Sequence, residues 1–329
     1  MERSLFFYVA QRFSAGNTWK ANSSARFSGR QRRVETKTMS FEFDRGKSLI
    51  IVATAFVLCV AATSLHAQTD VTPTATTRTR LQPIVKGILT AWDKADLVCL
   101  GEDHGSKNDS DLRIALVEHP DFIRRVKVVM IESASVAHQD ILDRFVLGGE
   151  DMTRDKLRAV WSDADGHEVW DAPIYEAFIR SVRKINLGVP REKRVRLLAG
   201  DDPTERNRGR WIREAVAREI LDKNVKGLAV YGAGHCINYG GGYPGEIGGK
   251  YPGRLWSVFN FFDVEAGRRA FGLGEDPVLI QITGTDKAQQ PSGRMFFLGR
   301  VNDNYKLGEV TDAIVYYGNI KDAKVPAVK

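Results

Sequence analysis

The stretch that decides the fold runs from Leu97 to Ile131. It reads Leu97-Val98-Cys99-Leu100, then Gly101-Glu102-Asp103-His104, then a helical run over 109–119 stopped by Pro120, then Val126-Lys127-Val128-Val129-Met130-Ile131. Two short apolar runs without alternation are strands buried on both faces. A helix-length connection between them makes the pair parallel. Working outward, 81–95 reads as an amphipathic helix ahead of this unit. Behind it, 138–147, 153–161 and 173–185 read as three helices in a row. A strand at 195–199, a helix at 209–222 and a strand at 228–231 follow. The expectation is an α/β fold: a mainly parallel central sheet flanked by helices, with a helical insertion at about 137–190. Strand-like runs at 255–262, 278–283, 295–298 and 313–317 make the C-terminal portion richer in β-structure. Residues 81–329 are read as a single α/β domain, and no repeat array of 20–50 residues is visible.

The unit Leu97–His104 has an echo in Leu228-Ala229-Val230-Tyr231-Gly232-Ala233-Gly234-His235. Each is four strand residues, then Gly, two residues and His. Loops beyond the C-terminal ends of parallel strands face the ligand crevice, and a glycine there lets the chain turn close to a ligand. His104 and His235 are therefore expected along one sheet edge. The second strand ends in Ile131-Glu132 and the third in Gly200-Asp201-Asp202, which adds carboxylates to that edge. Two imidazoles with Glu132, and with Glu102 beside them, are the donor types of a catalytic Zn, Mn or Co site. Without a metal, the same residues form a histidine base oriented by a carboxylate.

Charge points away from nucleic acid. The chain has 48 Lys and Arg against 41 Asp and Glu, but residues 1–67 hold ten basic and four acidic side chains. The remainder is nearly balanced, 38 against 37. Within the leader, residues 49–62 (LIIVATAFVLCVAA) are almost wholly apolar, too short for a comfortable membrane span and right for a signal-peptide core. Arg45 and Lys47 flank it, and Ser64-Leu65-His66-Ala67 offers cleavage after Ala67. Leu58 before Cys59 argues against a lipoprotein. Residues 39–67 are thus read as a signal peptide and 68–80 as a flexible, Thr-rich linker. The Arg- and Ser-rich prefix 1–38 has two readings, a transit peptide or sequence upstream of a true start at Met39. The mature protein is expected in the periplasm or outside the cell, with no stable membrane span. Cys99 and Cys236 then remain, to pair in an oxidising compartment or to stay as buried thiols.

The pattern resembles the superfamily that joins erythromycin esterases, the haem-binding uptake protein ChaN, the TraB/PrgY proteins and the Tiki proteases. Its hallmarks are two GxxH motifs, matched by Gly101–His104 and Gly232–His235, a Glu after the second strand, matched by Glu132, and an Arg. Glu205-Arg206-Asn207 is similar to the family's E-R-D/N element and makes Arg206 the Arg candidate, with Arg208 and Arg210 as rivals. Residues 311–318 resemble the closing strand of erythromycin-esterase-like chains. The resemblance spans about 84–318. It implies a hydrolase of ester, lactone or peptide bonds, often metal-assisted. His104, His235 and Glu132 would hold the metal or orient water on a small-molecule or peptide substrate, with Glu102 sharing that role. Arg206 would hold a substrate carboxylate or an oxyanion. The alternative on the same scaffold is a ChaN-like protein that binds haem or iron without turnover. Tyr239 or Tyr243 in the Gly-rich stretch 239–253 would then ligate iron.

Three weaker signals complete the reading. Asp163-Ala164-Asp165-Gly166-His167-Glu168 lacks the third acid and distant Glu of an EF-hand, and reads as a loop that caps the following helix or lines the cleft. The stretch 239–253 lacks P-loop spacing and reads as a mobile lid or a surface connection. Cys236 beside His235 reads as packing rather than as a nucleophile.

Overall fold

The computed structural model describes residues 71–239, 242–293 and 305–328. The expected signal peptide, the prefix before it and the expected strand at 295–298 lie outside these residues. Helix α1 (Ala75–Ala91) leads into β1 (Leu97–Glu102). It starts inside the stretch expected to be a flexible linker. The Thr74 hydroxyl accepts the Thr77 N–H at 3.1 Å and caps it, while Leu81, Ile84, Val85 and Ile88 bury its inner face. A threonine-rich composition thus hid a capped helix whose stability comes from packing.

After β1 come α2 (Lys107–Val117) and α3 (Pro120–Arg125), where Pro120 both ends one helix and opens the next. Next is β2 (Val128–Ser135) and then the insertion. It holds α4 (Gln139–Leu142), which continues into a π turn, α5 (Arg154–Ser162), α6 (His167–Trp170) and α7 (Pro173–Leu187). The chain returns through β3 (Arg196–Asp201), α8 (Arg208–Val216) and β4 (Gly227–Gly232). A 3₁₀ turn over Ala233–Cys236 and α9 (Tyr243–Ile247) come before β5 (Leu255–Asn260), α10 (Val264–Phe271) and β6 (Val278–Gln281). The described chain closes with α11 (Leu307–Val310) and β7 (Ala313–Tyr316).

The seven strands form one sheet in the order β3-β2-β4-β1-β5-β7-β6, parallel except for β6, which runs against β7. The fold is therefore α/β with a mainly parallel sheet, as the strand–helix alternation required. From β1 the chain leaves toward β2, and from the adjacent β4 it leaves toward β5 on the other side. That reversal opens a crevice beyond the carboxyl ends of β1 and β4.

Side-chain parity divides the core. Val98, Leu100, Val129, Ile131, Leu228 and Val230 point to the layer of α1, α2 and the insertion helices. Leu97, Cys99, Val128, Met130, Ala229 and Tyr231 point to the layer of α8 and α9. Cys99 and Cys236 both lie in the second layer, where they form a disulfide with a Cα–Cα distance of 5.6 Å.

Candidate active site

Both GxxH units end on the crevice between β1 and β4. Glu102 is the last residue of β1 and follows the parity of Val98 and Leu100, so its carboxylate turns toward α2 and the insertion. There Oε2 accepts from the Arg113 guanidinium, and Oε1 accepts from the Tyr175 hydroxyl at 3.2 Å. Arg113 and Glu102 are both buried. Oε1 also lies 3.0 Å from His104 Nδ1. An ionised carboxylate only accepts, so the imidazole must carry its proton on Nδ1, and Nε2 faces the crevice. Burial pushes the Glu102 carboxyl upward, but Arg113 and the bond to His104 outweigh it and hold it below the usual carboxylate range.

Glu132 ends the straight part of β2, before the register shifts between Ile131 and Ser135. It follows the parity of Val128 and Met130, toward α8. Its Oε2 accepts the Gly232 N–H at 2.6 Å and lies 3.8 Å from His104 Nε2. Its Oε1 lies 3.4 Å from His235 Nε2 and 3.8 Å from Arg208 Nη2. One carboxylate is thus faced by both imidazoles, a guanidinium and a backbone amide. Burial opposes its ionisation, but His235 first, then His104 and the Gly232 N–H, carry it well below the usual range. For His104, burial works against the imidazolium. The Glu102 hydrogen bond and the Glu132 charge prevail, and its pKa rises above the ordinary value. Gly232 leaves room for the imidazole: a Cβ there would sit 2.8 Å from His104 Nε2 and one of the two would have to shift.

His104, His235, Glu132 and Glu102 are therefore brought together. Arg206 is not. It is exposed, and Arg208, two residues on, takes the place expected of it. Asn207 caps α8, which puts Arg208 at the first helical position and turns it inward. Its Nε donates to Asp201 Oδ1 at 2.8 Å and its Nη1 to Asp165 Oδ2 at 2.6 Å. With Glu132 as a third acid, this guanidinium faces three carboxylates of the chain itself. The Asp165 N–H donates to Asp201 Oδ2 at 2.8 Å, which brings the 163–168 loop onto the crevice.

Arg113, Tyr175 and Trp170 escaped sequence reading. The Trp170 ring stands edge-on to the His104 imidazole with centroids 4.5 Å apart. Their only sequence signal was an inward-facing arginine on α2 and two aromatics in the insertion. Tyr243 is buried, its ring edge-on to Tyr231 at 5.9 Å. Tyr239 stacks on Tyr305 at 4.0 Å. The Tyr251 hydroxyl donates to Asp222 at 2.6 Å. Within 239–253, Tyr243 and Tyr251 are packed onto the second core layer. Cys236 is buried in its disulfide.

The donors can be tested against a divalent ion. Bonds of ~2.0–2.1 Å to tetrahedral zinc put neighbouring ligand atoms about 3.3 Å apart. The two imidazole Nε2 atoms lie 3.4 and 3.8 Å from Glu132 oxygens. Glu102 on His104 Nδ1 supplies the outer carboxylate that orients a ligating histidine. The residue types are those of a divalent site, but among the described residues no group of three or more such side chains is placed to hold an ion.

No family model matches the chain, and no curated protein matches its sequence. Among solved structures, the crystal structure of a Bacillus cereus protein is similar over 78% of this chain and 95% of that one, with a TM-score of 0.52 and 11% identity. That likeness is one of fold. The type III effector HopBA1 aligns over 73% of this chain and 94% of its own, at 12% identity and a TM-score of 0.36, too low to carry an argument.

Proposed function

We propose that this chain is an exported hydrolase of the erythromycin-esterase/Tiki type, acting on an ester, lactone or peptide bond. The observation that carries the reading is the pair of imidazoles converging on Glu132, with His104 fixed at Nδ1 by the buried Glu102. In that arrangement neutral His104 takes a proton from water at Nε2. The water oxygen forms its bond to the carbonyl carbon, the bond to the leaving group breaks, and the imidazolium returns the proton to the departing oxygen or nitrogen. Glu102 stabilises the imidazolium while it lasts. His235 holds the far oxygen of Glu132, and together with His104 and the Gly232 N–H it keeps that carboxylate ionised. A divalent Mn, Co or Zn ion held by His104, His235 and Glu132 would ionise its bound water near neutral pH and polarise the carbonyl. In that mode His104 serves as ligand, not base. The Cys99–Cys236 disulfide supports the export part of the reading.

The test is metal content by mass spectrometry on protein purified without chelator, beside the His104→Ala/His235→Ala double variant. Turnover of a panel of nitrophenyl esters, lactones and peptides is measured on both. Hydrolysis abolished in the double variant, with the melting temperature kept, is the expected result. A stoichiometric metal lost with the histidines identifies the metal-assisted form. Iron with a Soret band on haem addition and no turnover overturns the reading in favour of haem binding.

A further inference from the structure

The chain continues past β7 into a segment that no motif explained. Residues 322–325 lie across the loop that follows His104. Lys324 pairs with Ser106 as an isolated antiparallel bridge. The Val325 N–H donates to Gly105 O at 2.8 Å, and the Lys107 N–H donates to Ala323 O at 2.9 Å. The Asp322 carboxylate accepts from the Ser106 hydroxyl and the Asn108 N–H, both at 3.0 Å, which ties it to the first turn of α2. Lys324 then reaches over the loop: its Nζ donates to the His104 carbonyl at 2.8 Å and pairs with Asp103 Oδ2 at 2.6 Å.

On its other side the same loop is held by the Tyr175 hydroxyl, which accepts the Gly105 N–H at 3.0 Å and itself donates to Glu102. The backbone that carries His104 is therefore gripped between the insertion and the C-terminal segment. Farther on, the hold is loose. The Val328 N–H reaches Asp171 O at 3.3 Å, and a cavity of about 430 Å³ lies between Ala327, Val328, Trp161 and Asp171. The firm part of the contact is 322–325, directly beside the histidine.

We propose that residues 322–325 are a strap that sets the position of His104, with Lys324 as its positioning residue. The proposal rests on the hydrolase reading for its effect on turnover, and on geometry alone for its effect on the imidazole. Side chains near the reacting atoms must be placed to well within 1 Å, and such a displacement costs on the order of a hundredfold in rate. An exposed ion pair by itself contributes little to stability. Loss of Lys324 should therefore show in the placement of His104 rather than in the fold.

The experiment compares the parent full chain with Lys324→Met, Lys324→Arg and a chain ending at Lys321. Three quantities are read: kcat and KM on the best substrate of the panel, the melting temperature, and the carbethoxylation rate of His104 relative to His235 by peptide mass spectrometry. Lys324→Met should lower kcat about tenfold with KM unchanged and raise the His104:His235 reactivity ratio several-fold. Lys324→Arg should restore both, and the shortened chain should lose about a hundredfold in kcat. An unchanged ratio in Lys324→Met overturns the strap. So does an equal rise at both histidines with a lowered melting temperature, which marks general loosening. If the parent turns over nothing, the hydrolase reading fails while the reactivity ratio still decides the strap.

Discussion

The sharpest consequence of the site belongs to two arginines separated by a single residue. Arg206 is exposed, whereas Arg208 is shared by Asp201, Asp165 and Glu132. Arg206→Ala should leave turnover within a factor of two. Arg208→Ala leaves Asp201 buried without its cation, a loss on the order of 3 kcal/mol, and should cut turnover by tenfold or more; equal behaviour of the two variants would return Arg206 to the site. Gly232→Ala is a steric counterpart. Its methyl group meets His104 Nε2, so kcat should fall roughly 10- to 100-fold while the melting temperature stays within a few degrees. A third residue, Asp109, lies behind Glu102, accepting from the Tyr317 hydroxyl at 2.6 Å and the Asp103 N–H at 2.7 Å. Burial raises its pKa from 3.8 to about 7. Between those values the unfolded chain has released this proton and the folded chain retains it, so the group's contribution to stability falls as pH rises from about 4 to about 7 and is flat beyond. Asp109→Asn mimics the protonated form. Its melting temperature relative to the parent should be higher at pH 8 than at pH 5, and the same difference at both would show that the folded chain holds Asp109 ionised without cost.

At the scale of elements, the disulfide joins the middle of β1 to the turn that carries His235, across 137 residues. Closing so long a loop stabilises a fold by roughly 2–5 kcal/mol, or about 5–15 °C for a chain of this size. Cys99→Ala/Cys236→Ala should show that loss, and added reductant should lower the parent's melting temperature toward the variant's without affecting the variant. How far such features were legible depends on parity and period. The carboxyl ends of β1, β2 and β4 put His104, Glu132 and His235 on one edge, because strand ends in a parallel sheet share an edge whatever the rest of the chain does. The same alternation put Cys99 on the α8 side, but only the turn after β4 brought Cys236 to it, and turns carry no period. Arg206 was preferred to Arg208 because a short motif gives spacing and not helical phase; the phase came from Asn207 as the cap. Arg113 and Tyr175 act across 11 and 73 residues of sequence from Glu102, and no local pattern marks such a partnership. Helix α10 was hidden between strand-like runs because eight residues are too few for a period to stand out.

At the scale of the whole molecule, the expected signal peptide and the disulfide make one prediction together. The basic surplus sits in residues 1–67 and the rest is nearly neutral. Among the described residues no helix is long and apolar enough to cross a membrane. If residues 49–62 are a signal-peptide core, a bacterial host that expresses the chain from Met39 should deliver it to the periplasm, cut after Ala67. Intact mass should correspond to a chain that begins at Gln68 and is two hydrogens lighter than its reduced form, because Cys99 and Cys236 have paired. That start keeps Thr74, so α1 retains its cap. The same chain made without residues 39–67 would stay in the cytosol, where thiols are kept reduced. It should fold around the same sheet with a lower melting temperature, which oxidation restores. A full-length mass in the cytosol with no processing would overturn the signal-peptide reading. Correct cleavage with two free thiols would separate export from disulfide formation, and would place the origin of His235's fixed position in the packing of the turn rather than in the cross-link.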